Sequence, residues 1–272
     1  MTDELLVAEI HAASVRREHR SMLARTARKT TLPVIAAAIV VVAWEIAVDA
    51  SGIKPAVLPA PSGVLSATFA NRDILIANAL PTTLETIAGF ILSLSLGGLL
   101  GVLLTYFALV RDALYPNVIL FQLIPKVAVA PLFMLWLGIG WESRVAMALF
   151  IAFFPIVIST VSGLQAADPA ILRLCDSLDA SRWQVFFKVR LPYSLPFLFN
   201  GMKISMTLAI IGVIVGEFIT SQQGLGYIIL FAGSRLETAT VMAALLVLCT
   251  VGLALYGLVG LVERIVMTKF GN

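Results

Sequence analysis

The sequence predicts an all-α, polytopic membrane protein with six transmembrane helices. Hydrophobic residues make up 60% of its 272 residues and charged residues only 13%, and the mean hydropathy is +0.98. A soluble globule of this length requires more polar surface than this composition supplies. The apolar residues also fall into separate runs, each long enough to cross a hydrocarbon core about 30 Å thick.

The order of the elements follows from the length and flanks of these apolar runs. The chain divides into a leader at residues 1–31, a transmembrane domain at residues 32–264 and a tail at residues 265–272. The six predicted spans cover residues 32–48, 81–109, 116–139, 145–164, 197–220 and 239–262.

The leader is polar and basic, and its pattern differs from that of a cleavable signal peptide. A signal peptide would place its apolar core nearer the start and follow it with a small-residue cleavage site. The run 32–48 is long enough to remain as a span. We expect the leader to lie along the membrane on the face formed by Leu5, Ala8, Ala12 and Val15, or to be a disordered tail.

The lysine and arginine residues predict the orientation of the spans. If both termini are inside, the inner segments contain six lysine or arginine residues in the leader, one between spans two and three, four between spans four and five, and two after the last span. The outer connections then hold four, and Lys126 and Lys203 lie within spans. Because basic residues favour the cytoplasmic side, we expect the N- and C-termini in the cytoplasm.

One long polar segment, residues 168–196, interrupts the apolar part of the chain between the fourth and fifth spans. Basic residues outnumber acidic residues in it, as expected for a cytoplasmic loop. These charged residues are Arg173, Arg182, Lys188 and Arg190 against Asp168, Asp176 and Asp179.

Local signals divide this polar segment into two short helices. Asp168 is a good N-cap and Pro169 suits the first helical position, so a first helix extends to about Ser177. A second helix extends from Ala180 to about Arg190, and the proline two residues later ends it. Its aromatic and basic side chains suit contact with another protein, and they equally suit a helix lying at the lipid headgroups.

The segment resembles the conserved cytoplasmic loop of ABC importer permeases. That loop opens with E-A-A, continues to a glycine turn and closes with I-x-L-P. Here Arg173, Leu174 and Cys175 stand at the opening, and Asp179 replaces the glycine. Aspartate tolerates the left-handed backbone that such a turn requires. The matching residues are Leu178, Ala180, Ser181, Arg182, Trp183, Leu191 and Pro192.

Three further segments are similar to the nitrate, sulfonate and taurine branch of these permeases, which includes permeases for pyrimidine precursors and aromatic carboxylates. They read LPAPSGVL at 58–65, IPKVAVAPLFMLWLGIG at 124–140 and VGEFITSQQGLGYII at 215–229. The resemblance implies the type I ABC importer permease fold in the inner membrane. It also implies a translocation path for a small anionic solute delivered by a periplasmic solute-binding protein.

The same resemblance implies the partners of the chain. Two copies would form the pore as a homodimer within the lipid membrane, and two ABC ATPase subunits would dock below. Trp183 and Phe186 would anchor the ATPase contact and Arg182 would orient it. The residues implied in this coupling are Leu178, Asp179, Ala180, Ser181, Arg182, Trp183, Phe186, Leu191 and Pro192.

The chain itself shows no sequence signature of an enzyme. It contains no G-x-x-x-x-G-K-[ST] phosphate cradle, so ATP and Mg would be held by the partner ATPase and no cofactor by this chain. No Cys/His cluster indicates a metal site, and His11 and His19 lie in the leader. The formal net charge of +3 does not indicate a nucleic-acid partner.

Several ionisable residues fall within the spans, where a charge is costly and usually faces protein or water. Lys126 is placed near mid-membrane, Glu45, Glu85 and Glu217 in the outer halves of their spans, and Lys203 in the inner part of the fifth. One hypothesis is that Lys126 and Glu217 line or gate the translocation path. The other is that each only pairs with an opposite charge or a backbone group.

Prolines and glycines predict how the spans bend and pack. Pro125 and Pro131 can kink the third span, either for a gate or to fit neighbouring helices. Small residues predict close helix packing or a dimer seam. These are Gly89, Gly97, Gly98 and Gly101 in the second span and Gly252, Gly257 and Gly260 in the sixth.

An ion-gradient-driven secondary transporter or channel is the alternative function. It predicts inverted repeats and helices broken near mid-membrane with paired carboxylates. The sequence shows neither a repeat nor such a pair. Uptake that requires ATP and a binding protein would separate the two functions.

Overall fold

The protein is helical throughout the part that the structure describes. A computed structural model of the protein describes residues 31–220 and 222–270, and these ranges contain no β-strand. The all-α prediction is confirmed. The predicted leader, including its apolar face and both histidines, lies outside the described residues apart from Thr31, as do the last two residues of the predicted tail.

Helices follow one another through short turns. In chain order they are α1 (Thr31–Ser51), α2 (Pro61–Ala70), α3 (Arg72–Tyr106), α4 (Ala108–Gln122), α5 (Lys126–Leu137), α6 (Trp141–Gln165), α7 (Pro169–Ser177), α8 (Arg182–Val185) with a π-helical turn at Phe186–Arg190, α9 (Leu191–Thr220), α10 (Leu225–Ser234) and α11 (Thr238–Phe270).

Five of these helical stretches are long and apolar enough to cross a membrane, and a bent helix pair supplies a sixth span. The continuous spans are α1, α3, α6, α9 with the helical turns before it, and α11. The bent pair is α4 and α5, whose axes differ by 104°. Six spans are therefore present when this pair is counted as one.

The third span, predicted at residues 116–139 with possible kinks at Pro125 and Pro131, is broken into α4 and α5. The helix breaks between Gln122 and Lys126, because Pro125 has no N–H to donate and disfavours helix at the residue before it. Pro116 lies inside α4 and Pro131 inside α5 without breaking either helix. Of the two prolines predicted to kink this span, only Pro125 stands at the break.

Two further boundaries differ from those predicted. The connection after the first span contains α2, whose first turn is capped by Glu45: its carboxylate accepts from the Ser62 N–H at 3.0 Å and the Ser62 hydroxyl at 2.5 Å. First-turn N–H groups have no partner within their own helix. At the other end, α11 continues to Phe270, so residues 265–270 extend a helix where a tail was predicted.

Helix α6 lies at the centre of the packing, between α3 and α9. Glycines of α3 face it directly: a Cβ on Gly101 would lie 2.5 Å from the Thr160 Cβ, and one on Gly97 would lie 3.1 Å from the Ile156 Cβ. Gly212 of α9 packs on the backbone of α6 in the same way. The close packing predicted from the glycines of the second span is therefore present.

The remaining predicted glycines divide between packed and open positions. Gly89 packs against α6, whereas a Cβ on Gly98 would have no atom within 4 Å. In α11, a Cβ on Gly252 would lie 3.4 Å from Ile210, but Gly257 and Gly260 face almost open space. The C-terminal half of α11 therefore carries a glycine-lined face that α9 does not fill.

Candidate functional site

The polar segment between α6 and α9 begins with a helix whose bounds match the prediction. Helix α7 extends over Pro169–Ser177, with Pro169 in its first turn. The Asp168 side chain accepts from the Ala170 N–H at 2.7 Å. The N-cap and the first helix of this segment are confirmed.

A left-handed turn follows α7. Asp179 has φ 51°, and the Ala180 N–H donates to the Cys175 carbonyl at 3.0 Å across the turn. L-residues other than glycine, asparagine and aspartate rarely adopt this backbone. The expectation that aspartate can replace glycine in the turn is therefore confirmed.

The second helix begins at Arg182, two residues later than predicted, because Ser181 caps it. The Ser181 Oγ accepts from the Gln184 N–H at 3.3 Å, and the Gln184 side chain accepts from the Ser181 N–H at 2.8 Å. This reciprocal pair is a capping box. The sequence carried its signature, S-x-x-Q at residues 181–184, and our sequence analysis missed it.

The prediction that Pro192 ends the second helix is wrong. Helix α8 passes through a π-helical turn at Phe186–Arg190 directly into α9, which begins at Leu191. The Leu191 N–H donates to the Phe186 carbonyl, five residues back. Since this wider turn already replaces the regular bonding pattern next to Pro192, the missing proline N–H is tolerated. Helices α8 and α9 therefore form one continuous element.

Two side chains fix this element to the transmembrane helices. The Arg190 Nη1 donates to the Leu164 carbonyl near the end of α6 at 2.8 Å, and its guanidinium lies 5.9 Å from the Tyr106 ring centroid. The Phe186 ring meets Tyr106 edge-on at 5.9 Å. The π-helical turn at the end of the second helix is thus held against the ends of both α3 and α6.

The predicted anchor residues separate into exposed and inward-facing groups. Trp183 is 74% exposed and stacks on Phe187, which is 56% exposed, with ring centroids 6.0 Å apart. Phe186 is half-buried against Tyr106 and does not form part of this outer surface. Our sequence analysis did not place Phe187 in the site, although its spacing of four residues from Trp183 puts both on one helix face.

The rest of the predicted coupling residues are either exposed or half-buried. Leu178 is 71% exposed, and Asp179, Ser181 and Arg182 are also exposed. Ala180, Leu191 and Pro192 are half-buried. We call the exposed set Leu178, Arg182, Trp183 and Phe187 the aromatic patch. Exposed apolar side chains rimmed by charged residues are typical of a protein-interaction surface.

The two predicted path residues have different surroundings. The Glu217 side chain is 1% exposed; it accepts from the Thr82 hydroxyl at 2.6 Å and from the Gly226 N–H at 2.6 Å. The Thr82 hydroxyl in turn accepts from the Leu225 N–H at 2.9 Å. Glu217 therefore holds the start of α10 against α3, which agrees with the pairing hypothesis for this residue.

Lys126 does not share these contacts. It is the first residue of α5, directly after the break in the third span, and it is half-buried. Its Nζ lies 5.6 Å from the Phe154 ring centroid on α6. No carboxylate within the described ranges forms an ion pair with it. The structure thus brings Glu217 and Lys126 into separate environments.

Two charge pairs that sequence analysis did not predict join the transmembrane helices. Arg144 was placed in an outer connection, yet it lies buried in α6, with Nε 2.7 Å and Nη2 2.5 Å from the two oxygens of Glu85 in α3. Lys203 of α9 pairs with Glu263 of α11. Neither pair has a local signal, because the partners come from different spans.

No group of three or more His, Cys, Asp or Glu side chains that could hold a metal ion occurs among the described residues. The two cysteines are unpaired, and Cys175 lies in α7 while Cys249 lies in α11.

Comparison with known proteins gives one consistent family. Residues 89–267 match the family described as binding-protein-dependent transport system inner membrane component. A riboflavin transport system permease protein of Chloroflexus aurantiacus is 35% identical, over 84% of this chain and 86% of its own length. A formylaminopyrimidine transport permease protein of Halalkalibacterium halodurans is 33% identical, over 83% of this chain and 90% of its own length. The taurine transport system permease protein of Escherichia coli is 29% identical, over 84% and 86%.

A solved structure has the same fold. A chain of the MetNI methionine ABC transporter in an inward-facing conformation matches with a TM-score of 0.61 and 22% sequence identity. The match covers 74% of this chain and 97% of that chain. The predicted type I importer permease fold is confirmed.

The buried pair of Arg144 and Glu85 generates a prediction about stability. Arg144→Met leaves the Glu85 carboxylate buried without its counter-charge, so we expect the free energy of unfolding to fall by about 3–5 kcal/mol. Unfolding of the purified chain in mixed micelles with increasing SDS measures this loss.

Two further variants make the test specific. The double variant Glu85→Leu with Arg144→Met removes both charges and is expected to recover most of the lost stability. Arg72→Met, which breaks the exposed pair with Asp73, is expected to cost less than about 1 kcal/mol. Equal losses for Arg72→Met and Arg144→Met would contradict the assignment of a stabilising buried pair.

Proposed function

The chain belongs to the family of binding-protein-dependent transport system inner membrane components, and from this premise we propose that a separate ATPase subunit docks on residues 168–196 and drives import through it. The chain is a multi-pass permease of an ABC importer, so the resemblance noted in its sequence is confirmed. Such an importer includes an ATPase and a solute-binding protein. The docking site, the orientation and the solute path are the proposed parts.

The aromatic patch is the observation that carries the proposed docking site. Its stacked Trp183 and Phe187 rings are exposed on α8 and the π-helical turn after it, and Arg182 precedes Trp183 in the chain. Aromatic residues and arginine are the residues that most often dominate binding energy at protein interfaces. A groove in the ATPase that accepts this helix would cover the apolar side chains that the chain leaves uncovered.

The connection of the patch to the bundle supports a mechanical role. Helix α8 continues into α9 without a loop, and Arg190 joins it to the end of α6. A displacement of the patch by the ATPase therefore moves the inner ends of α6 and α9 with it. Because packed helices transmit small shifts as rigid bodies, ATP binding on the partner would be coupled to the path between the spans.

The sequence supports a separate ATPase as the source of energy. The chain contains no phosphate-cradle motif, so we propose that ATP and Mg bind only to the partner. The bend between α4 and α5 is a feature that favours the ion-gradient alternative, since broken helices build ion sites in such transporters. Glu85 pairs with Arg144, and Glu217 accepts from the Thr82 hydroxyl and the Gly226 N–H. These two buried carboxylates of the described ranges therefore do not form a carboxylate pair at that bend.

Lys126 is the residue that we propose for the solute path. It begins α5 inside the broken span, where no side chain caps the first-turn N–H groups. These N–H groups and the ammonium together favour a negative charge. The relatives reported above are transport permeases for riboflavin, formylaminopyrimidine and taurine. We propose a small organic solute, with an anionic or electron-rich group near Lys126, passing between two copies of the chain.

We further propose that both termini and the aromatic patch face the cytoplasm. The excess of lysine and arginine in the leader, in residues 168–196 and after the last span supports this orientation. The turn of residues 235–237, between α10 and α11, would then face outward, toward the solute-binding protein.

Replacement of Trp183 tests the docking site. Trp183→Ala removes the most exposed ring of the patch, and we expect binding of the ATPase to weaken by at least about 30-fold, the effect of losing a contact worth about 2 kcal/mol. Co-purification of the ATPase and ATP-dependent uptake in proteoliposomes measure the loss. Trp141→Ala, at an exposed tryptophan at the opposite end of α6, is the control and is expected to leave both unchanged. A Trp183→Ala complex that stays intact and coupled would refute the site.

Replacement of Lys126 tests the solute path. Lys126→Met keeps the length of the side chain and removes its charge, so we expect uptake of an anionic solute to fall by about tenfold, the effect of one lost charge-assisted hydrogen bond. ATPase binding and basal ATP hydrolysis should not change. Lys54→Met, outside the spans, is the control. Unchanged uptake and affinity for the Lys126 variant would remove it from the path.

Cysteine labelling tests the orientation. In a chain with Cys175→Ser and Cys249→Ser, we expect Arg235→Cys to react with a membrane-impermeant maleimide on intact cells. Lys188→Cys should react only after the cells are permeabilised, because the inner loops carry the basic excess. Labelling of Lys188→Cys on intact cells would place the aromatic patch outside and refute the coupling scheme.

A further inference from the structure

A groove lies between α9 and the inner part of α11, and neither helix fills it. Its volume is about 440 Å³ and seven residues line it: Lys203, Tyr256, Gly257, Gly260, Leu261, Glu263 and Arg264. The two glycines leave its floor open, since a Cβ on Gly257 would have no atom within 4 Å and one on Gly260 would lie 4.0 Å from Lys203. The groove is therefore a built feature of the helix pair and has room for a ligand.

The charges at the groove favour a negative ligand. Lys203 pairs with Glu263, and its Nζ also lies 6.0 Å from the Tyr256 ring centroid. Arg264 is exposed beside this pair and forms no ion pair with any described residue. The Glu263 carboxylate faces the two cationic side chains of Lys203 and Arg264, so one positive charge remains at the mouth of the groove.

The depth of the groove identifies the environment that the ligand comes from. Glu263 and Arg264 directly follow the predicted end of the sixth span, and Lys203 lies six residues inside the predicted start of the fifth. At about 1.5 Å per residue, the lysine is roughly 9 Å inside the hydrocarbon boundary and its long side chain extends back toward the surface. The basic end of the groove is therefore at headgroup level, and its apolar part, including Leu261, is at the level of the acyl chains.

We propose that this groove binds an anionic phospholipid of the inner leaflet, with the phosphate at Arg264 and Lys203 and an acyl chain along Gly257 and Gly260. A basic pocket between helices at this level matches both parts of such a lipid. A second copy of the chain fits less well as the occupant, because an identical patch would bring another unpaired arginine toward Arg264. The assignment to the inner leaflet rests on the proposed orientation.

Native mass spectrometry of the full-length chain in detergent tests the site. The probes are dioleoyl phosphatidylglycerol, dioleoyl phosphatidylcholine with the same acyl chains, and inorganic phosphate. We expect the anionic lipid to bind more tightly than the zwitterionic lipid. Arg264→Gln should weaken binding of the anionic lipid by about fivefold, the effect of one cation near a charged headgroup. Lys269→Gln, an exposed lysine at the same end of α11 but outside the groove, should leave binding unchanged.

A filled groove provides the second arm. Gly260→Leu places a side chain over the open floor, and we expect it to lower binding of both lipids while the melting temperature of the chain stays within about 3 °C of the unmodified chain, as for a surface change without overpacking. Inorganic phosphate should not compete with the lipid, because it lacks the acyl chain that the floor accepts.

Four results would overturn the proposal. Equal binding of the two lipids, or equal effects of Arg264→Gln and Lys269→Gln, would show only general attraction to a basic surface. Competition by phosphate would assign the groove to a soluble anion. Dissociation of a dimer of the chain by Gly260→Leu would assign the groove to an interface with a second copy. None of these readouts uses ATP or uptake, so the lipid site and the proposed transport function can fail independently.

Discussion

The close contact of α6 with α3 and α9 positions the buried pair of Arg144 and Glu85 and supports the helix that carries the aromatic patch. Between transmembrane helices the hydrophobic effect adds little, because lipid is as apolar as the helix surface, so association depends on backbones that approach closely. Gly101 and Gly97 of α3 and Gly212 of α9 allow this approach on two sides of α6. Near its N-terminus α6 carries the buried Arg144, and near its C-terminus the Leu164 carbonyl accepts from Arg190.

The charged residues within the bundle divide into those that hold helices together and those that remain available. Glu85 with Arg144, Lys203 with Glu263, and Glu217 with the Gly226 N–H each join different helices. A charge buried in a membrane without such a partner is expensive, so these contacts stabilise the packing of the helices. Lys126 and Arg264 lack a carboxylate partner among the described residues, and both proposed ligand contacts in the chain involve them.

Much of the polar segment could be predicted because its signals are local. Asp168 and Pro169 start α7, and Asp179 adopts the left-handed turn. Each of these features follows from the chemistry of a single residue. The capping box at Ser181 was equally visible in the sequence. The π-helical turn before Pro192 was not, because it depends on how the helix is held against α3 and α6. The same contacts turn Phe186 inward and leave Phe187 in the aromatic patch.

The sequence alone determined the helical class, the places of the spans, the polar segment between the fourth and fifth of them, and the family, because hydropathy, capping and motifs are read along one stretch of chain. The tertiary structure decided which proline breaks a helix, which glycines are packed, and which charges meet. Glu85 and Arg144 are 59 residues apart in the chain, and nothing local to either residue identifies the other. Such pairings depend on which faces of the spans meet, and that is set by the packing of all the helices together.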